Sequence, residues 1–232
     1  MFRNRRNAAS GACPDFPTTH ETAIQTEGMT KAMEKPAITQ FPIHDLLKTR
    51  WSPRAFSSQP VEREKIQSLF EAARWAPSCF NEQPWYFLLA TMDHPDAHRQ
   101  LVNCLVEGNQ EWARQAPLLV LTVAKMTFAH NGKPNRHAFH DIGLAVGNLV
   151  VQATAQGLVV HQMAGILPDR IRAAYAVPEG FEPCTGLAIG YSGDSHSLPE
   201  SLRTRELAPR ERNPLPSFAF SDTWGRPSRL FS

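Results

Sequence analysis

The sequence predicts an α+β fold built around a sheet covered on both faces. Two observations predict it. From Phe41 onward, helix-like stretches with apolar residues recurring at three and four positions alternate with short, almost wholly apolar runs. Runs of the second kind suit strands buried on both sides. The chain's 232 residues are enough for one large domain, or one domain with tails, and for a sizeable core.

Taken in order, residues 43–49 read as a short helix with Ile43, Leu46 and Leu47 on one side. Residues 62–75 read as a clearer helix, with Ile66, Leu69, Phe70 and Ala73 on one stripe and Pro60 near the first turn, where a missing N–H costs nothing. Residues 95–115 repeat the pattern as one helix through Leu101, Val102, Leu105 and Trp112. Residues 140–156 carry so many apolar side chains, among them Leu144, Val146, Leu149 and Val150, that burial nearly all round is expected. Small residues there (Gly143, Ala145, Gly147, Ala153) leave room for a second helix to approach. Strands are expected at residues 85–91, 118–124, 158–163 and 187–191, and residues 218–220 are short enough for an added edge strand.

Residues 1–38 are expected to form a disordered leader, and residues 39–232 a single domain. The leader carries Arg3, Arg5 and Arg6 with no acid in its first dozen residues, which resembles a transit peptide; Met29 equally suits a translation start. Neither a secretory apolar core nor the roughly 20 apolar residues of a membrane span is present. Lysine and arginine number 24 against 22 acids, and a net charge of +2 gives no nucleic-acid signature. Neither a nucleic acid nor a membrane is therefore expected as a partner. Cys13, Cys79, Cys104 and Cys184 are widely spaced without a CxxC pair, which reads as reduced, intracellular thiols and a cytoplasmic location.

The chemistry-bearing stretch is Ala76-Pro77-Ser78-Cys79-Phe80-Asn81-Glu82-Gln83-Pro84-Trp85. A helix stops at one proline, a polar loop follows, and a second proline launches an apolar run, so the loop is pinned at both ends. Asn81 and Gln83 each present a donor beside an acceptor, which suits a flat heterocycle with imide-like edges. An ordinary helix-to-strand connector fits the same residues. Cys79 within it reads either as a reactive thiol or as a small packing residue. Upstream lies Arg50-Trp51-Ser52-Pro53-Arg54 and downstream Arg210-Glu211-Arg212-Asn213. Arginine forks with a hydroxyl are what a phosphate asks for, although any single arginine fits a solvated surface as well.

Other signals fail on their own terms. Gly190-Tyr191-Ser192-Gly193 lacks the glycine two places after the serine that a nucleophile elbow needs. Gly186, Gly190 and Gly193 do not make a dinucleotide fingerprint. His137, His140 and Asp141 form one helical cluster without a further partner, so no metal site is expected.

The ordered set Arg-x-Ser-x-Arg, Pro-Ser-x-x-Asn-x-Gln-Pro-Trp and a late Arg-x-Arg resembles the nitroreductase family of FMN-dependent oxidoreductases over roughly residues 41–227. The resemblance implies a three-layer α-β-α fold around a mixed sheet, and a homodimer across which the C-terminal extension is exchanged. It implies FMN at the dimer interface, reduced by NADH or NADPH and oxidised by a small electrophilic acceptor such as a nitroaromatic or quinone. Arg50 and Ser52 would serve the phosphate and ribityl side, Arg54 the flavin pyrimidine ring, and Asn81 the isoalloxazine edge. Arg210 and Arg212 would close on the phosphate from the other subunit. The backbone at Ala164 and Gly165 would meet flavin N5. No catalytic acid or base is implied. A flavin-degrading, dehalogenating or redox-sensing relative, or a cofactor-free interaction protein, are the alternatives. Trp51, Ala164 and Asn213 depart from the family, which often has a basic residue or histidine, an acid or glycine, and a lysine there.

Overall fold

The computed structural model describes residues 33–231. Most of the expected leader, with Cys13 and Met29, lies outside the described residues. Residues 33–38 do not: Ala37 N–H donates to the Lys48 carbonyl at 2.8 Å, and Lys35 reaches the carbonyl oxygen of Glu206 at 2.7 Å.

Helix α1 (Asp45–Thr49) is followed by α2 (Arg63–Arg74). Pro77 fixes the stop of α2, because proline disfavours helical backbone at Ala76 and has no N–H to continue the ladder. Strand β1 (Trp85–Thr91) comes next, then α3 (Pro95–Val102) and α4 (Glu107–Ala113), β2 (Leu118–Lys125) and the long α5 (Ala138–Ala155). Strand β3 (Val159–Met163), α6 (Pro168–Tyr175), β4 (Phe181–Gly190) and α7 (Glu200–Leu207) complete the set.

The four strands lie in the order β1-β2-β4-β3. Every pairing is antiparallel, so the sheet is not the mixed one expected. Alternate β2 residues enter two cores: Leu118 and Val120 pack with Leu69 and Ala73 of α2 and with Ala145 and Leu149 of α5. Leu119 and Leu121 pack on the other face with Leu101, Trp112, Ile171 and Leu202. Two helical layers thus sandwich the sheet, as the three-layer reading required.

Four details differ from the sequence expectation. The single helix over residues 95–115 is two, because residues 104–106 leave the helix to bond with residues 165–167. Val106 N–H donates to the Gly165 carbonyl at 3.1 Å and Leu167 N–H to the Cys104 carbonyl at 2.8 Å, which buries Cys104 and Leu105. Strand β4 starts six residues before position 187. Pro183 hides its first half from a pattern reading, and a register shift opposite Val123 accommodates that proline. Helix α5 is not buried all round: Phe139, Gly143, Leu144 and Gly147 face outward. Residues 218–220 add no edge strand; Phe220 forms only an isolated bridge with Pro227.

Candidate functional site

The Arg-x-Ser-x-Arg segment is held against the ends of β4, β3 and α7. Gly193 N–H donates to the Ala55 carbonyl and Ser57 N–H to the Tyr191 carbonyl, both at 2.9 Å. The contact is so close that a Cβ at Gly193 would lie 2.4 Å from the Phe56 backbone, which accounts for glycine in a stretch that has no part in a nucleophile elbow. From β3, His161 Nδ1 lies 2.9 Å from the Pro53 carbonyl, a contact it makes as the donor, and its ring packs on Trp112 with centroids 4.5 Å apart. Burial is the main cause that lowers the His161 pKa to about 4, against the contact with Pro53; the charges of Arg54 and Arg205 lower it further. From α7, the Glu206 carboxylate, 1% exposed, accepts the N–H of Arg54 at 2.8 Å and of Ala55 at 3.2 Å. It also pairs with the Arg54 guanidinium at 3.7 Å.

These contacts leave a cavity of about 210 Å³ lined by Arg50, Ser52, Arg54, Arg210 and Arg212, together with Lys35, Trp51, Arg205 and Glu206. Arg50 Nη1 donates to Ser52 Oγ at 3.1 Å. Arg210 Nη1 donates to the carbonyls of Lys35 at 2.5 Å and Lys48 at 3.1 Å. Six cationic side chains therefore face one carboxylate, and that carboxylate is engaged with backbone N–H groups. Burial, reinforced by Arg210 and Arg212, lowers the pKa of Arg50; burial and then Arg205 lower that of Arg54, with Glu206 opposing. Arg210 is likewise lowered, by burial and then by Arg212. A bound anion would relieve this repulsion, and forks with a hydroxyl match a phosphate's oxygens.

Arg210 and Arg212 complete this cavity from the same chain, where the sequence reading placed them across a dimer. The remaining expected residues lie elsewhere. Ala164 and Gly165 follow the C-terminal end of β3. A Cβ at Gly165 would sit 2.6 Å from both Asn109 Nδ2 and Val106 Cγ2, so the close approach of α4 requires the glycine. Asn81 precedes β1, which is the opposite edge of the sheet from β3, about 14 Å away at the usual strand spacing.

The Asn81 loop is strained. Phe80, Asn81 and Gln83 have φ of 53°, 55° and 51°, a region that costs about 1–2 kcal/mol for each such residue. Ser78 Oγ accepts Gln83 N–H at 3.0 Å and Gln83 Nε2 donates to the Asn81 carbonyl at 3.2 Å. The buried Asp141 carboxylate accepts Cys79 N–H at 3.0 Å, so the residue that resembled a metal ligand is a brace for this loop. Such strain collects at functional sites.

Sequence reasoning missed Lys35, Arg205, Glu206 and His161. An acid inside the arginine-rich run 203–212 was a usable signal for Glu206; a lone lysine before residue 38 and a lone histidine on a strand gave none.

A wider groove of about 1070 Å³ adjoins the cavity, sharing Arg50, Arg210 and Arg212 and walled by Ile38, Phe41, Ile43, Leu47 and Phe218. Among the described residues no helix is long and apolar enough to cross a membrane.

The chain is thus an antiparallel three-layer α+β domain with a basic cleft at its strand ends. The model of the nitroreductase family matches residues 47–191, and the chain belongs to that family. A crystal structure described as an oxidoreductase containing FMN is 38% identical, with a TM-score of 0.76, and the match covers 81% of this chain and 95% of that one. An uncharacterised 15.4 kDa protein of Mycolicibacterium smegmatis is 35% identical over 127 residues, 55% of this chain and 84% of that protein. The FMN reductase (NAD(P)H) of Bacillus subtilis is 25% identical over 160 residues, 62% of this chain and 63% of that protein.

Proposed function

We propose that this protein is an FMN-dependent oxidoreductase of nitroreductase type, a cytoplasmic homodimer that oxidises NADH or NADPH and reduces a small electrophilic acceptor, such as a nitroaromatic or quinone, in a ping-pong cycle. The observation that carries it is the cavity in which six cations meet a single, internally engaged carboxylate. That donor set fits the dianionic phosphate of FMN. A crystal structure 38% identical to this chain is described as an oxidoreductase containing FMN.

Arg50, Ser52, Arg210 and Arg212 hold the phosphate end. Arg54 puts positive charge beside the pyrimidine ring, where the reduced cofactor develops negative charge. Backbone N–H at Ala164–Gly165 orients the redox-active edge. Asn81, on the opposite sheet edge of its own chain, reaches the flavin from the second subunit, which is why the site needs two copies. The exposed face of α5, the apolar groove and the C-terminal extension, with Trp224 94% exposed, form the contact between subunits. Bound FMN supplies a two-electron relay from nicotinamide to acceptor; the protein's part is orientation and electrostatics. Water supplies the proton, so no side chain is assigned as a general acid.

The test is optical. Purified protein should be yellow, release FMN on denaturation, bleach anaerobically with NADH or NADPH and recover on adding a quinone. Protein that neither retains nor takes up FMN contradicts the proposal.

A further inference from the structure

Lys35 lies twelve residues before the matched span begins at residue 47, yet its ammonium lines the cation cavity. Its position is defined from three sides. Nζ donates to the Glu206 carbonyl at 2.7 Å and to the Ala208 carbonyl, and it sits 5.1 Å over the Trp51 ring. Its own carbonyl accepts from Arg210 at 2.5 Å. The neighbouring backbone is tied down where Ala37 N–H meets the Lys48 carbonyl at 2.8 Å.

An ammonium has three donors. Two go to carbonyls, and one is left for a ligand in the cavity. Burial lowers the Lys35 pKa; Glu206 opposes that, while Arg210 and Arg54 add to it, so a dianion in the cavity would be favoured by Lys35 as by the arginines. Trp51 occupies the first x of Arg-x-Ser-x-Arg and contributes no charge. What it contributes is a face on which a cation from outside the motif is seated.

We propose that Lys35 is a phosphate-recognition residue of the cofactor site, delivered by a strap at residues 35–37 that Arg210 latches across the cavity. The inference rests on the FMN reading above. It makes the segment before the family domain part of the binding machinery rather than a dispensable leader.

The alternative is a purely mechanical tether, and riboflavin separates the two because it is FMN without the phosphate. Flavin fluorescence titrations would be run on the full chain, on Lys35→Ala, on Lys35→Arg and on the surface control Arg99→Ala. Loss of one charge-assisted contact should weaken FMN about tenfold to a hundredfold in Lys35→Ala. Riboflavin affinity should stay unchanged, so selectivity for the phosphate falls by the same factor. Lys35→Arg should restore most of that selectivity, and Arg99→Ala should behave as wild type. Equal weakening of FMN and riboflavin, or no weakening of either, overturns the proposal.

A second measurement keeps it distinct from the FMN reading. Inorganic phosphate should raise the melting temperature of the wild type and raise that of Lys35→Ala less. If the wild type binds no flavin yet shows this difference, the FMN reading fails and Lys35 stands as an anion ligand. If phosphate protects both equally, Lys35 has no such role.

Discussion

At the scale of single residues, Glu206 holds the site together. Its buried carboxylate takes two backbone N–H groups and the Arg54 guanidinium, so it shapes the loop that presents Arg50, Ser52 and Arg54. Truncation would leave buried donors and a half-buried cation without a partner, at a cost of roughly 3 kcal/mol or more. Glu206→Ala should therefore shift the urea midpoint strongly downward, and Glu206→Gln, which keeps one acceptor oxygen, should shift it about half as far. A Glu206→Ala midpoint equal to wild type would remove this role. Arg50 tests ligand binding rather than folding. Arg50→Ala should weaken FMN about tenfold or more, whereas Arg99→Ala should not, since Arg99 is exposed and, among the described residues, pairs with Asp96 at 2.5 Å. Equal FMN affinity in the two variants would take Arg50 out of the site. That Arg50, Arg54, Arg210 and Arg212 come together in one cavity was legible in the sequence, because forks in recurrent spacing are what a phosphate would ask for. Lys35 was not, because what it binds is backbone carbonyl, a contact that leaves no pattern between residue types; Glu206 left only its place as an acid inside an arginine-rich run.

At the scale of elements, β3 couples the cation cavity to the strand end at Ala164–Gly165. The coupling passes through His161, whose ring is fixed between the Pro53 carbonyl and Trp112. Because burial holds its pKa near 4 in the folded protein, against about 6.5 unfolded, the unfolded chain binds the proton more readily. The stabilisation is thus complete above about pH 6.5 and is lost as pH falls toward 4, a change of roughly 3 kcal/mol. Urea midpoints measured across that range should fall for the wild type and vary less for His161→Gln; parallel curves would show that another group carries the acid sensitivity. Elements whose character is local were readable: β1 matches residue for residue, and α2 lies within one residue of its expected ends. The break between α3 and α4 was not, since nothing between Asn103 and Val106 forbids helix. Its cause is a backbone pairing with residues 165–167, about sixty positions away in the chain. The first half of β4 was lost for the opposite reason, a local proline signal that a bulge overrides.

At the scale of the whole molecule, the composition of α5 and its surroundings disagree within one chain, and the second copy proposed above would resolve the disagreement. Phe139, Gly143 and Gly147 recur every fourth residue on its outer face, with Leu144 beside them. A largely apolar face of this kind, interrupted by the exposed His140, marks an interaction surface on a folded domain. The glycines make the reading testable. A Cβ built at Gly143 or Gly147 meets nothing within 4 Å in the subunit, and replacing a helical glycine gains up to about 1 kcal/mol of helix propensity. Gly147→Leu should therefore fold as an isolated subunit at least as well as the parent sequence does. If Gly147 instead lets a partner helix approach, the added leucine occupies the partner's space. The wild type should sediment as a dimer and Gly147→Leu as a monomer with native circular dichroism. Because Asn81 and the cation cavity lie on opposite edges of one sheet, that monomer should also lose most of its FMN affinity while keeping protection by inorganic phosphate, which needs the cavity alone. A monomeric wild type with full FMN affinity would place the whole site in one chain, and a dimeric, flavin-loaded Gly147→Leu would move the subunit contact off this face.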